Sequence, residues 1–429
     1  MRRASVVLPA LMAALALVLW AGPYRHLGLW THSVITDIPV YQASSDATAR
    51  GDLPYLDVPL EYPPLAAVVF WLARFMPGDY TGGFMALMAL AWATATAGAT
   101  YAAMRMGYGR LRQLAVGVAM AAAPLLLGAL VATRFDAVVT ALMAWLVAAA
   151  VTERWRLMWT LLAAAVLVKL VPVLLVPVLV IWHAHRAGGR DAVRGAGAAL
   201  AGVAAVFGAI ALAAPGGLWD MFSYHLHRPV QVESTAASYM LALHALADVP
   251  LGVESSYGSQ GLTGQGPGPI AVLVQVLAFV LMVAVALVLR RALPPLRRGP
   301  DARLMVAALA TTVVLVVAGA KVFSPQFMLW MLPAALLAGG PYGTLAAGIT
   351  VAALVATQAY FPRQYWDLVA LHKDVIWILV ARNALVVTLV AACWPRPRAF
   401  RHRPAVTLRS SGNVSAVAEH APRARYLAD

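Results

Sequence analysis

Asp37, Arg134, Asp136, Lys169, Arg228, Glu233, Lys321, Gln326, Arg363 and Asp367 stand at the ends of apolar stretches in an otherwise hydrophobic chain. Ionisable groups at membrane depth are costly, so they line a site or pair with one another. A carboxylate among several cations suits a site that holds a phosphate and takes a proton from a hydroxyl. Asp37, in Thr36-Asp37-Ile38-Pro39 soon after the first apolar segment, is the candidate base. The same residue types also serve as a helix cap or a turn, and spacing alone does not choose between the two. Lys169, in Lys169-Leu-Val-Pro172, fits either a phosphate ligand or the partner of a buried carboxylate. Lys321, in Lys321-Val-Phe-Ser324-Pro325-Gln326, fits a phosphate ligand or a lysine snorkelling to the interface. His225-Leu-His227-Arg228 and Glu233 have metal-ligating types, but spacing places no third ligand, so no metal is expected.

These groups need elements that bring them to one surface. Of 429 residues, 62% are apolar and 12% charged, about half the usual charged share. Apolar runs of spanning length recur along the chain, which predicts an all-α polytopic membrane protein. The alternating segments of a transmembrane barrel are absent from the sequence. The net charge of +14 comes from basic clusters in short loops between apolar runs. That is the positive-inside pattern of membrane topology and gives no reason to expect nucleic acid. Cys393 is the single cysteine, which excludes an internal disulfide. The Ala, Gly, Val and Arg bias points to a GC-rich bacterial genome and so to a bacterial plasma membrane.

Arg2 and Arg3 place the N-terminus inside, with the first apolar segment an uncleaved helix. Residues 23–79 then form a first external loop containing Asp37. The apolar stretch 63–76 is too short to span and is expected to lie at the surface or to re-enter. Both flanks of Leu157–Trp182 are basic, so both should lie inside. Lys169-Leu-Val-Pro172 and Pro177 are expected to break the stretch into a hairpin of two half-helices. Residues 215–268 form a second large external loop with a short amphipathic helix over Thr235–Ala247. The expectation is ten full spans plus the hairpin (twelve if it counts as two) in one domain, 1–394. A basic, disordered cytoplasmic tail, 395–429, should follow. The polar residues named at the outset then share the outer face. The duplicated halves common in transporters are not detectable.

Taken together, several segments resemble glycosyltransferase family 87, of the GT-C superfamily. They are Asp37 with Tyr41, Gly51-Asp-Leu-Pro54-Tyr55, Glu61-Tyr62-Pro63-Pro64-Leu65, Lys169-Leu-Val-Pro172, Arg228-Pro-Val-Gln231-Val-Glu233-Ser234 and Lys321-Val-Phe-Ser324-Pro325-Gln326-Phe327. The resemblance implies a GT-C fold with Asp37 as catalytic base and a polyprenyl-phosphate sugar, mannose first, as donor. An inverting transfer to a glycolipid or polysaccharide hydroxyl would follow, with no cofactor, by a monomer embedded in membrane lipid. Lys321, Arg228, Lys169 and Arg134 would hold the donor phosphate. Tyr41, Tyr62, Gln231, Glu233, Gln326, His225 and His227 would contact substrate. Where many relatives carry a Gly-Gln-type pair, this chain has Arg134-Phe135-Asp136, a departure that leaves the roles of Arg134 and Asp136 open. Arabinofuranose is the alternative sugar. A transporter or flippase of lipid-linked sugars is the alternative from another class, and a catalytically idle scaffold is a third.

Overall fold

The computed structural model describes residues 4–22, 35–293, 302–339 and 342–396. Arg2, Arg3 and the expected tail beyond Arg396 lie outside the described residues. Seven helices are long and apolar enough to cross a membrane: α4 (Tyr80–Arg105), α5 (Arg110–Leu127), α9 (Gly189–Ala213), α12 (Pro267–Ala292), α13 (Ala302–Gly319), α15 (Gly343–Tyr360) and α16 (Lys373–Cys393). Each closes its backbone hydrogen bonds within itself, as a spanning segment in lipid must. The multi-pass membrane architecture follows from them.

The other expected spans are not among these seven. They are α1 (Ala4–Ala21), α6 (Asp136–Val151) and α14 (Met328–Leu337). At 1.5 Å per residue the ten residues of α14 reach only about 15 Å. Every one of them is buried, so this helix works as core inside the bundle.

The proline-broken segment is a hairpin. α7 (Trp155–Val168) stops at Lys169, a 3-10 turn covers Val171–Leu175, and α8 (Val176–Ala187) follows. The far end of α8 comes back to the start of α7. His183 stacks on Trp155 at 4.2 Å and accepts a hydrogen bond from Trp159 Nε1 at 3.0 Å. Arg186 pairs with Glu153 just ahead of α7. Two half-helices therefore start and finish on one side, with Lys169 at the opposite tip.

Around that tip lie the surface elements. α2 (Ile38–Arg50) begins directly after Asp37, with Pro39 in its first turn, and ends at Gly51 with φ 99°. α3 (Pro64–Leu72) and a 3-10 turn, Ala73–Phe75, form the expected short segment. The second large loop folds into α10 (Pro215–His227), α11 (Thr235–Ala247) and a two-stranded antiparallel ribbon, β1 (Gly252–Ser256) and β2 (Ser259–Thr263). The ribbon turns through Tyr257 and Gly258, both at positive φ, as a two-residue hairpin loop requires. It corrects the all-α expectation in this one place. Its strands are rich in Ser and Gly, and an extra bridge from Gln231 to Gly261 ties them to the loop before α11. α11 has the expected bounds, but its outward face is not polar, since Tyr239 and Leu246 are exposed. Gly217 lets α10 lie directly on the backbone of Tyr55, where a Cβ would clash with the Tyr55 carbonyl. That close approach brings the two large loops together.

Candidate active site

The site is assembled from a corner and a tip. α5 ends at Gly128, whose φ of 58° and ψ of −142° suit only glycine. A short turn of helix, Leu130–Thr133, leads to extended Arg134, and Asp136 opens α6. A carboxylate in a first helical turn faces the positive end of the helix dipole. Arg134 and Asp136, two residues apart, take partners of opposite charge from different parts of the chain. Arg134 forms an ion pair with Asp37 and donates from Nη2 to the Ile35 carbonyl at 3.2 Å. Asp136 accepts from Lys169 Nζ at 2.8 Å and from Trp330 Nε1 at 2.8 Å, both on Oδ1.

The two pairs differ in access. The Asp136 side chain is 1% exposed and its Lys169 partner 15%. The Lys169 ammonium also lies 4.7 to 5.0 Å from the ring centroids of Phe135, Trp330 and Phe327, within cation–π range. The Asp37 side chain, by contrast, is 35% exposed. Its recorded contacts, Arg134 and the Tyr41 hydroxyl at 3.4 Å, both fall on Oδ2. Among the described residues Oδ1 has no hydrogen bond. Tyr41 is buried, stacked on Phe70 at 4.4 Å and edge-on to Tyr62 at 6.0 Å. Asp37 thus rests on a fixed aromatic floor.

A second group comes from the later segments. Lys321 donates to the Leu226 carbonyl at 2.8 Å, and the Gln231 amide nitrogen donates to the Lys321 carbonyl at 2.9 Å. The Gln231 side-chain nitrogen reaches Glu233 Oε2 at 2.9 Å and Ser324 Oγ at 3.3 Å. The Arg228 guanidinium sits 5.5 Å from the Tyr224 ring centroid, and its buried Nε has no hydrogen-bond partner among the described residues. Neither Arg228 nor Lys321 has a carboxylate within ion-pair distance among the described residues. Burial and then the Arg228 charge push the Lys321 ammonium below its ordinary value. Arg134 and Arg228 are both within electrostatic reach of Lys169, which joins the two groups in one cluster.

Glu233 is fully buried, and its carboxyl is pushed up to about 7. Burial drives the rise and outweighs the opposing effects of Arg382, the Tyr360 hydroxyl and Arg134. His225 is bonded through Nε2 to the Glu61 carbonyl at 2.9 Å, while His227 turns away to Ser223. The two histidines therefore do not face one another. Among the described residues no three His, Cys, Asp or Glu side chains converge. Gln326 is half-buried in a 3-10 turn, Pro325–Phe327. Arg363 is exposed, and Asp367 faces His372 at 3.8 Å.

Two side chains went unmarked in the sequence reading. Trp330 supplies a donor to Asp136. Arg382, inside α16, is fully buried and contacts both Glu233 and Tyr360. A lone arginine within an apolar helix was the available signal.

The family model of glycosyltransferase family 87 matches residues 60–319, more than half of the chain. The chain belongs to glycosyltransferase family 87. Arg134, Asp136, Lys169, Arg228 and Glu233 of this glycosyltransferase fall inside the matched stretch, whereas Asp37 precedes it and Lys321 follows just after. No curated protein matches the chain. Among solved structures it is similar to ArnT from Cupriavidus metallidurans bound to undecaprenyl phosphate. The TM-score is 0.50 at 17% identity, covering 89% of this chain and 77% of that one. The similarity shows the GT-C fold.

Proposed function

We propose that this enzyme moves a sugar from a polyprenyl-phosphate donor to an acceptor hydroxyl at the outer face of the cell membrane, with Asp37 as general base. One observation carries the reading. An accessible carboxylate, held through one oxygen, shares a cluster with two cations that lack a carboxylate partner among the described residues. The carboxylate suits deprotonation of a hydroxyl, and the free cations suit a phosphate. Family membership supports glycosyl transfer. The polyprenyl class is supported by the shared fold with a protein that carries undecaprenyl phosphate.

In the proposed step the acceptor oxygen attacks the anomeric carbon while its proton passes to Asp37 Oδ1. The anomeric carbon–oxygen bond to phosphate breaks, and polyprenyl phosphate leaves with the bonding pair. Attack opposite the leaving group inverts the anomeric configuration. Lys321 and Arg228 take up the charge that develops on the phosphate. Arg134 orients Asp37 and offsets its charge. Lys169, neutralised by Asp136, supports the floor of the site and adds no free charge for the donor. No step calls for a metal. Mannose is the first candidate sugar and arabinofuranose the second, with a glycolipid or polysaccharide as acceptor and the monomer as the working unit.

The test incubates the purified chain in liposomes with polyprenyl-phosphate mannose or arabinofuranose and identifies the product by mass spectrometry. Transfer that is lost in Asp37→Asn supports the reading. Undiminished transfer by that variant removes Asp37 from the mechanism.

A further inference from the structure

Arg382 lies ten residues into α16, with no exposed surface. A guanidinium buried at this depth is costly, and its contacts are informative. Nη2 donates to the Glu233 carbonyl at 3.2 Å and to the Tyr360 hydroxyl at 2.8 Å. The Tyr360 hydroxyl in turn donates to Glu233 Oε1 at 2.8 Å. On its other side the guanidinium is centred 3.9 Å over the Phe323 ring. The neighbouring Asn383 donates to the carbonyls of Glu233 and Ser234 at 3.1 and 3.2 Å.

Glu233 belongs to the segment that carries Arg228, and Phe323 to the segment that carries Lys321. These two segments also hold each other, through the Gln231 backbone bond to Lys321 and the Gln231 side chain between Glu233 and Ser324. One buried side chain therefore touches both of the segments that present the free cations. Backbone strapping alone leaves the separation of Arg228 and Lys321 dependent on a pair of loops. A planar guanidinium bonded through Nη2 to one loop and stacked on the other ties both to a rigid helix.

We infer that Arg382 is a positioning residue that sets the spacing of Arg228 and Lys321 for the donor phosphate without touching the donor. The inference rests on the phosphate site proposed above. It assigns to α16 a share in donor affinity that neither composition nor spacing indicated.

The test uses the full-length chain in detergent, with farnesyl phosphate as a soluble probe of the phosphate site. Arg382→Gln should weaken probe binding about tenfold and leave the KM for acceptor unchanged. Arg382→Lys, which keeps the charge but loses the flat face over Phe323, should recover little of the loss. Added to Lys321→Ala with Arg228→Ala, Arg382→Gln should weaken binding no further, because its effect runs through those cations. Should Arg382→Gln fail to fold, Tyr360→Phe and Phe323→Leu remove one contact each and should weaken the probe in the same direction. Unchanged probe binding by folded Arg382→Gln, or by both substitute variants, overturns the inference. So does an equal, additive loss on top of the double variant. If Lys321→Ala and Arg228→Ala themselves leave probe binding unchanged, the phosphate site falls first, which separates the two failures.

Discussion

Two ion pairs stand almost side by side in this protein, built from the same ingredients. Asp37 with Arg134 and Asp136 with Lys169 each join one carboxylate to one cation, and the tripeptide Arg134-Phe135-Asp136 contributes to both. What separates them is access and the supply of partners. Asp136 is enclosed and its Oδ1 receives both an ammonium and an indole donor. Asp37 is open on one side and its Oδ1 is unused among the described residues. A buried pair of this kind mainly holds the structure, and breaking it by removing one partner is destabilising. An exposed carboxylate beside free cations can exchange protons with a substrate. In the proposed mechanism, chemistry goes to the carboxylate with a spare oxygen.

The largest effect should come from Asp37→Asn, which keeps shape and loses the proton acceptor. Transfer should fall by roughly 10²–10⁴-fold, while thermal unfolding in detergent stays close to wild type. Asp136→Asn should behave in the opposite way. It strands Lys169 in the interior and should cost about 3–5 kcal/mol, read as a lower melting temperature and a smaller yield of folded protein. Pairing it with Lys169→Met should restore much of that stability. If Asp136→Asn is stable and inactive while Asp37→Asn is active, the assignment of roles to the two pairs is reversed.

A smaller effect is expected at the free cations. Lys321→Ala and Arg228→Ala should each raise the donor KM by roughly tenfold and make donor binding less dependent on salt. Acceptor KM should not move.

The pH behaviour of Glu233 is subtler still. Its carboxyl is raised from 4.5 to about 7 in the folded protein. Between those values the folded chain keeps a proton that the unfolded chain has released. Stability from this group is therefore greatest at low pH, declines as pH rises through that window, and levels off above about 7. Glu233→Gln should flatten that part of the stability profile, measured by thermal unfolding at successive pH values. At the bottom of the scale, His227→Ala should change stability by less than about 0.5 kcal/mol and leave transfer unaltered, since His227 is exposed and its Nδ1 is taken up by Ser223.

Much of this was legible in the sequence, for identifiable reasons. Long apolar stretches can do little but span, and basic flanks on both sides of a proline-broken stretch leave a hairpin as the consistent solution. The short segment before Pro77 was readable because length alone disqualifies it. The pairing of Asp37 with Arg134, and of Asp136 with Lys169, was not. Those partners come from distant elements, and a list of polar residues at helix ends does not say which cation meets which carboxylate. Lys169 illustrates the point: its sequence context allowed a phosphate ligand or a paired lysine, and the pairing with Asp136 is visible only in the arrangement of Asp136, Phe135 and Trp330 around it. The ribbon at 252–263 was hidden because its residues have little intrinsic strand preference and draw their order from Gln231. Arg382 was visible as an anomaly, yet its meaning depends on Tyr360, Glu233 and Phe323 reaching it from three other segments.

The return of α8 to the side where α7 began has a consequence for how the enzyme is made. Every helix after Ala187 inherits its direction from that reversal. A variant that straightened the pair, such as one replacing Pro172 and Pro177 with leucine, risks threading the segment right across the bilayer. All later helices would then be inserted upside down, leaving Asp37 and the Arg228–Lys321 couple facing different compartments. Together with the basic flanks, two prolines thereby bear on whether the halves of the proposed active centre meet.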